Sequence, residues 1–174
     1  MRRRLTLVLV GLLCACSLSL PVQAQELADV LAKVKSAIVQ KDSCWELKRA
    51  ENRNLDDSKA SEQDWVCGNQ VVGIYYYQQP SIEAAGKLLQ EIITSPVQAA
   101  GQTVPSPKIG DESSIRTYTE YSTSSYVFFR RGNTVVRIDS NLFERTDRAN
   151  NLTLKNAIDF AKIVDDQILQ NRAP

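Results

Sequence analysis

The sequence contains no histidine, and this absence narrows the chemistry that is open to the chain. Ser-His-Asp and Cys-His catalysis need an imidazole as base, and histidine zinc sites need it as ligand. The spacing of the acidic residues also lacks the alternating oxygen ligands and the closing Glu of an EF-hand. A catalyst built from this chain would therefore have to use carboxylates, lysine or tyrosine, and we expect no cofactor and no metal.

Long hydrophobic runs are scarce too, and the one that is present lies at the start of the chain. Arg2 to Arg4 precede an apolar stretch over residues 5–20, and Val22 and Ala24 occupy the small-residue positions of a cleavage site. This arrangement is typical of an export signal. We therefore expect a signal peptide over residues 1–24, cleaved after Ala24, and a periplasmic or secreted protein with a single domain over residues 25–174.

Lipidation is an alternative to ordinary cleavage. The segment Leu13-Cys14-Ala15-Cys16 is similar to a bacterial lipobox, although a cysteine stands where Ala or Ser is usual, and a second apolar segment follows at residues 18–22. A lipid on Cys16 would make the protein an anchored envelope component. A membrane is thus expected as a partner only if Cys16 is lipidated.

Neither sign of charge is in clear excess. Without residues 1–24 the chain keeps 150 residues, with 18 basic and 20 acidic side chains. Nucleic acid and anionic lipid both select concentrated basic surfaces, so this balance argues against nucleic acid as a partner. The length suits one domain with one core, and no internal repeat is visible.

Only two cysteines, Cys44 and Cys67, follow the leader. In an oxidising compartment they are expected to form a disulfide. Closing the loop between them would stabilise the fold by about 3 kcal/mol in the chain-entropy model. A redox pair is the alternative, but catalytic dithiols usually stand two residues apart.

Hydrophobic periodicity predicts three helices and five strands. The predicted helices cover residues 26–40, 81–95 and 153–170, and the predicted strands cover residues 43–49, 71–79, 115–121, 125–131 and 134–140. Residues 52–64 are polar and residues 95–114 are rich in Pro and Gly, so both are predicted as loops. Tight turns between consecutive strands favour an α+β fold, an antiparallel sheet flanked by helices in the order α-β-β-α-β-β-β-α.

The dipeptide Gly132-Asn133 predicts a two-residue hairpin loop. With this loop Phe129 faces Val136 and Val127 faces Ile138, so one face of the hairpin is apolar and should be core. The opposite face should be solvated, or covered by a partner or a loop, because it mixes rings with charges. Its residues are Tyr126, Phe128 and Arg130 on one strand and Val135, Arg137 and Asp139 on the other.

Three pairs of neighbouring carboxylates could serve acid-base chemistry: Asp56-Asp57, Asp111-Glu112 and Asp165-Asp166. Adjacent carboxylates are usually solvated, and Asp165-Asp166 fits the outer side of the last helix. Asp111-Glu112 follows Gly110 at the end of the Pro-rich loop and precedes a strand. A turn in which Asp111 caps nearby backbone amides is the favoured interpretation, and an acid-base site is the alternative.

Clusters of aromatic and basic residues offer weaker indications. Tyr75 to Tyr77 should place one face of a strand in the core and leave the other half-exposed, with an aromatic wall for a ligand as the alternative. Trp45 and Trp65 stand within two residues of the cysteines, which favours packing against the disulfide. Arg145 and Arg148 could hold an anion, but no Gly-rich turn or helix start accompanies them.

A resemblance to a known group rests on Ile109-Gly110-Asp111-Glu112-Ser113, on the strand over residues 126–131, and on Gly132-Asn133-Thr134-Val135-Val136-Arg137-Ile138 followed by a last helix. This half of the chain resembles small exported bacterial proteins of the PsbP and LpqN type. The resemblance covers residues 81–173 and implies an antiparallel sheet sandwiched by helices. It also implies an accessory or binding role without catalysis. The cysteine pair has no counterpart in that pattern.

These observations favour an exported, non-enzymatic domain that binds another protein or a small ligand. Its candidate surface consists of the hairpin face and the Pro-rich loop, represented by Tyr126, Phe128, Arg130, Arg137, Asp111 and Glu112. The alternatives are a hydrolase-like enzyme that uses Asp111 or Glu112, and a lipid-anchored envelope component.

Overall fold

The computed structural model describes residues 22–55, 58–119, 123–142 and 147–172. The predicted leader up to residue 21 with Cys16, the pair Asp56-Asp57 and Arg145 lie outside the described residues. The described elements, in chain order, are α1 (Val22–Lys41), β1 (Glu46–Leu55), β2 (Ser58–Cys67), β3 (Gln70–Gln78), α2 (Ile82–Thr94), α3 (Pro96–Ala99), β4 (Gln102–Val104), β5 (Glu112–Tyr118), β6 (Thr123–Arg131), β7 (Thr134–Leu142) and α4 (Asp147–Arg172).

The strands form one sheet in the order β1-β2-β3-β7-β6-β5-β4, and each neighbouring pair is antiparallel. This confirms the predicted α+β class. The register of the β6–β7 hairpin is also confirmed, since Phe129 faces Val136 and Val127 faces Ile138. Gly132 has a φ of 58°, in the left-handed region that a residue without a Cβ adopts most easily.

The inner face of the sheet packs against α1 and α4 and forms the main core. Both predicted helices are confirmed, and each turns its apolar stripe toward the sheet. The rings of Trp45 and Trp65 meet the ring of Phe160 edge-on, with centroids 4.9 and 6.3 Å apart. Packing of the two tryptophans against the disulfide stays a prediction.

Helix α2 packs on the opposite, outer face of the sheet. Ser81 begins it as predicted, because its hydroxyl accepts a hydrogen bond from the amide of Ala84 at 3.1 Å. Leu89 of α2 contacts Phe128 and Val135, and this second core removes both sheet residues from solvent. The mixed face of the hairpin is therefore covered in part by a helix of the same chain, which is neither the partner nor the loop that the sequence suggested.

The prediction of a loop over residues 52–64 was wrong. β1 extends to Leu55, and β2 runs from Ser58 to Cys67 as its antiparallel neighbour. The segment is polar because one side of this ribbon is charged, and the charges pair across the strands. Arg49 contacts Glu62 at 3.5 Å and Asp64 at 3.6 Å. Polar composition thus marked an exposed hairpin and not an irregular segment.

The loop prediction for residues 95–114 was wrong in part. The segment contains the short helix α3 and the three-residue strand β4, and β5 already begins at Glu112. With the extra hairpin strand and these two short elements, the predicted order α-β-β-α-β-β-β-α becomes α-β-β-β-α-α-β-β-β-β-α. Short elements next to Pro and Gly carry little periodicity, so the sequence could not indicate them.

Cys44 and Cys67 are joined by the predicted disulfide, with their Cα atoms 5.2 Å apart. The bond connects the turn after α1 with the end of β2. It therefore ties the N-terminal helix to the hairpin that forms one edge of the sheet.

Candidate functional site

The outer face of the sheet is covered unevenly. α2 lies over β6 and β7, and the neighbouring outward side chains on β1, β2 and β3 are mostly charged or aromatic and remain partly exposed. The boundary between these two regions runs along β7, where the apolar Val135 is followed by Arg137 and Asp139. At this boundary the charged side chains of Arg137 and Asp139 lie next to the buried apolar residues under α2.

Arg137 and Asp139 form an ion pair on β7 between two tyrosines. Arg137 Nη2 donates to Asp139 Oδ2 at 2.8 Å, and the guanidinium carbon lies 4.0 Å from the centre of the Tyr75 ring. Tyr75 stands opposite Arg137 on β3, and Tyr126 stands opposite Asp139 on β6. We call Arg137, Asp139, Tyr75 and Tyr126 the outer-face site.

The carboxylate of Asp139 is buried, and a hydrogen-bond partner is described for only one of its two oxygens. Its side chain pairs through Oδ2, whereas Oδ1 has no hydrogen-bond partner among the described residues, and neither has Nε of Arg137. Burial raises the pKa of Asp139 to about 6, although Arg137 acts in the opposite direction. A buried polar atom without a partner costs free energy, so a group that donates a hydrogen bond here would be favoured.

A glycine on β3 makes room for the ring of Tyr75. Gly73 lies opposite Asp139, and a Cβ at this position would come within 2.9 Å of Cε2 of Tyr75. Any larger residue would push the ring aside and weaken its contact with Arg137. The cation-π arrangement therefore depends on the glycine in the middle of this strand.

On the side of β1, the outer-face site is bordered by Arg53, Glu51 and Glu62, which we call the charged rim. Arg53 contacts Glu51 at 3.1 Å and Glu62 at 3.7 Å. A cavity of about 60 Å³ lies among these three residues, Tyr75 and Tyr77. Such exposed ion pairs contribute little stability, but they present alternating charges beside two aromatic rings.

A second polar cluster, the hairpin cluster, joins the Gly110-Asp111-Glu112 turn to the β6–β7 loop. Asp111 Oδ2 accepts hydrogen bonds from the amide of Gly132 at 2.8 Å and from Arg130 at 3.2 Å. Asp111 Oδ1 accepts one from Arg131 at 2.9 Å, and Glu112 accepts one from Arg130 at 2.6 Å. The side chains of this turn therefore bind the neighbouring β6–β7 hairpin. The sequence favoured a cap on nearby backbone amides, whereas the observed partners lie about twenty residues further along the chain.

The hairpin cluster is poorly suited to acid-base catalysis. Burial alone would raise the pKa of Asp111, but the amide of Gly132 and the guanidinium groups of Arg131 and Arg130 hold it below its usual value. A general acid or base works best with a pKa near the working pH. The geometry of Asp111 and Glu112 therefore fits a structural connection better than the hydrolase alternative.

The expectation that Asp165 lies on the outer side of the last helix was wrong. Its side chain is buried, accepts two hydrogen bonds from Arg131 at 2.7 Å each, and accepts a third from the amide of Gly110 at 2.9 Å. Arg131, the last residue of β6, thus reaches Asp165 on α4. Asp166 is exposed, as expected.

A cavity of about 170 Å³ lies between the end of α1 and α4, lined in part by Trp45 and Phe160. Its polar wall is an ion-pair chain, in which Asp159 contacts Lys155 at 2.7 Å and Lys41 at 3.2 Å. Burial would raise the pKa of Asp159, yet the two lysines hold it below its usual value. Because these charges satisfy one another, the cavity shows no preference for a ligand of either sign.

The six predicted surface residues divide among three environments. Tyr126 and Arg137 lie in the outer-face site, whereas Phe128 is fully buried beneath α2. Arg130, Asp111 and Glu112 belong to the hairpin cluster. The hairpin register had already placed Asp139 on the same face as Tyr126 and Arg137, although Asp139 was not among the six named surface residues. The sequence did not indicate that Tyr75 lies beside Arg137, because that contact depends on the pairing of β3 with β7.

The described residues contain no group of three or more His, Cys, Asp and Glu side chains that could hold a metal ion. None of the described helices is both long and apolar enough to cross a membrane.

No protein-family model and no curated protein matches this chain. Among solved structures, the chain is similar to the extracellular domain of PknH from Mycobacterium tuberculosis, with 11% identity, a TM-score of 0.49, and 80% of this chain and 91% of that chain covered. It is also similar to a putative uncharacterized protein, the Rv0999 ortholog, from Mycobacterium smegmatis, with 11% identity, a TM-score of 0.45, and 76% and 96% covered. At these values neither likeness carries an argument about ligand, activity or location.

Proposed function

We propose that the protein is an exported, non-enzymatic binding domain, and that the outer-face site receives a protein segment or a small ligand that donates a hydrogen bond. The observation that carries this proposal is Oδ1 of Asp139, a buried carboxylate oxygen without a partner among the described residues. An amide or amine from a partner would satisfy this oxygen and make a charge-assisted hydrogen bond.

The surroundings of Asp139 support a binding role. Tyr75 and Tyr126 supply rigid, amphipathic contact area, which is enriched in recognition surfaces. Nε of Arg137 has no hydrogen-bond partner in the described part of the chain and so offers a donor beside the acceptor. Because Oδ1 is itself shielded from solvent, the partner must displace a neighbouring side chain to reach it. Binding at this site therefore involves a local rearrangement.

Export is part of the same proposal. The basic and apolar start of the chain and the Cys44–Cys67 bond support an oxidising compartment outside the cytoplasm, where disulfides persist. A relation to proteins of the PsbP and LpqN type is also proposed here. The Gly110-Asp111-Glu112 turn supports it, because the hairpin cluster gives that motif a structural reason for preceding an Arg-Gly-Asn hairpin.

Site-specific photo-crosslinking in the native host tests the binding role. A photoreactive residue in place of Glu62, on the charged rim, should form a discrete crosslinked product. The same residue in place of Lys162, on the exposed side of α4, is the matched control and should form none. The product at position 62 should disappear in an Asp139→Asn background, because the substitution removes the charge that attracts the donor.

Two results would contradict the proposal. One is a product of equal yield at positions 62 and 162, which would indicate random encounters. The other is a position-62 product that is unchanged in folded Asp139→Asn protein, which would show that the partner contacts the rim and not the outer-face site.

A further inference from the structure

Four polar side chains on the inner face of β2 and β3 have buried polar atoms that lack partners. Lys59 pairs with Gln78 and Ser61 pairs with Tyr76 across the two strands, so the four form one contiguous patch, the inner polar cluster. Nζ of Lys59, Oγ of Ser61, OH of Tyr76 and Oε1 of Gln78 have no hydrogen-bond partner among the described residues. Ser61 and Tyr76 are 3% and 0% exposed.

Two other buried polar side chains on the same inner face are paired, whereas Oγ of Ser140 has no hydrogen-bond partner among the described residues. Gln63 accepts a hydrogen bond from the ring of Trp65 at 3.4 Å, and Ser125 shares one with Thr153 at 3.0 Å. Native proteins leave few buried polar atoms unpaired, so four neighbours without partners call for a specific explanation. An ammonium group among them makes the cost larger, since a buried charge normally has a counter-charge.

Two cavities open onto the inner polar cluster beneath α1, and they share Leu27 as a wall. A cavity of about 30 Å³ is lined by Tyr76 and Gln78. A cavity of about 140 Å³ is lined by Lys59 and, on its helical side, by Leu27 and Leu31. The charged residues that line the larger cavity are Lys59 and Arg53, both basic, and Arg53 already pairs with Glu51.

We infer that the two cavities form a binding site for a molecule that carries one anionic head on a short apolar chain, with the head at Lys59 and Tyr76 and the chain against Leu27 and Leu31. The ammonium group and the hydroxyls supply donors for a carboxylate or a phosphate. The leucines of α1 supply the apolar wall that ligand sites usually have. This site lies on the opposite side of the sheet from the outer-face site and does not depend on the function proposed for it.

Calorimetric titration of the full chain with four probes tests the inference. Hexanoate and hexyl phosphate carry the head and the chain, acetate carries the head alone, and hexan-1-ol carries the chain alone. At least one of the two anionic amphiphiles should bind at a single site about tenfold more tightly than acetate and hexan-1-ol, the factor expected from a charge-assisted hydrogen bond. The stronger of the two identifies the head group. Binding of neither, or equal binding of hexan-1-ol, overturns the inference.

Variants of the cluster test the assignment of residues. Lys59→Met should weaken amphiphile binding by about tenfold or more, whereas Lys48→Met, an exposed lysine on the neighbouring strand, should not. Tyr76→Phe should weaken binding while the midpoint of thermal unfolding stays equal or rises, because it removes an unpaired buried hydroxyl. Equal affinities of Lys59→Met and Lys48→Met would overturn the inference.

If Lys59→Met does not fold, NMR of the unmodified chain tests where the ligand binds. The methyl NMR signals of Leu27 and Leu31 should shift with hexanoate or hexyl phosphate, and should not shift with acetate. Amphiphile binding that leaves both leucines unaffected places the ligand elsewhere and overturns the inference.

Discussion

At the residue scale, the main electrostatic feature of the outer-face site is the buried carboxylate of Asp139, which is paired with Arg137. Asp139 is 8% exposed, and its pKa is raised chiefly because burial disfavours the charged form. Arg137, Asp64 and Glu62 are the charged groups that act on it, and only the first favours ionisation. Asp139 therefore titrates in a range where an ordinary aspartate is already ionised.

The first prediction concerns Asp139→Asn and pH. Because the pKa of Asp139 rises from 3.8 to about 6 on folding, its contribution to stability is fully present below pH 3.8 and is lost as the pH rises through 6. Each pKa unit corresponds to about 1.4 kcal/mol, so the loss is up to about 3 kcal/mol. Urea unfolding of both proteins from about pH 4 to pH 7 should show the variant gaining stability relative to wild type.

The matched control is Asp166→Asn on the exposed side of α4. Its difference from wild type should stay flat over the same range. A flat difference for Asp139→Asn as well would mean that the Asp139 carboxylate is not perturbed by burial.

The second prediction concerns the contact between the hairpin and α4. Asp165→Asn leaves Arg131 without its two-oxygen partner in a mostly buried position, and breaking such a pair costs about 3 kcal/mol. Asp166→Asn, its exposed neighbour, should change the free energy of unfolding by no more than about 0.5 kcal/mol. Similar midpoints in urea for the two variants would show that Asp165 does not hold the hairpin.

At the scale of elements, the sequence predicted well where periodicity is long or a turn is tightly specified. The three long helices α1, α2 and α4 and the β6–β7 hairpin were predicted correctly, because apolar stripes and Gly132-Asn133 leave few alternatives. The β1–β2 hairpin was missed because its charges pair across strands, and such pairing is visible only once the register is known. Charge-rich edge strands of this kind also protect a sheet from pairing with other chains.

The third prediction concerns the turn that carries the hairpin cluster. Gly110 has a φ of 65°, and a Cβ there would lie 2.5 Å from the carbonyl oxygen of Arg130. Gly110→Ala should therefore lower the free energy of unfolding by about 2 kcal/mol. Gly86 lies in α2 with open space around it, so Gly86→Ala should raise that free energy by about 1 kcal/mol. Thermal unfolding of the two variants measures both changes. Equal changes in stability would contradict backbone strain at position 110.

At the scale of the whole molecule, the sheet separates two environments that the sequence could only partly distinguish. The hairpin register predicted the apolar inner face and placed Tyr126, Arg137 and Asp139 on the opposite face, but the residues that β3 adds to the outer-face site were not predicted. Tyr75 and Gly73 on β3 lie 64 and 66 residues before Asp139 on β7 in the chain. Contacts of this kind depend on the order β3-β7, which no local pattern specifies.

The fourth prediction concerns the disulfide, which joins the N-terminal helix to the edge hairpin. Replacing Cys44 and Cys67 together with serine should lower the free energy of unfolding by about 3 kcal/mol, because the unfolded chain regains the entropy of an open loop. Urea unfolding measures the loss. An unchanged midpoint would show that the bond does not contribute to stability.

The most direct test of the central claim compares the outer-face site with the hairpin cluster in one experiment. Partner capture at position 62 is measured in folded Asp139→Asn protein and in folded Asp111→Asn, Glu112→Gln protein, at equal concentration. Binding at the outer-face site predicts that the first variant loses the crosslinked product and that the second retains it. Loss in the second variant with retention in the first would contradict the claim.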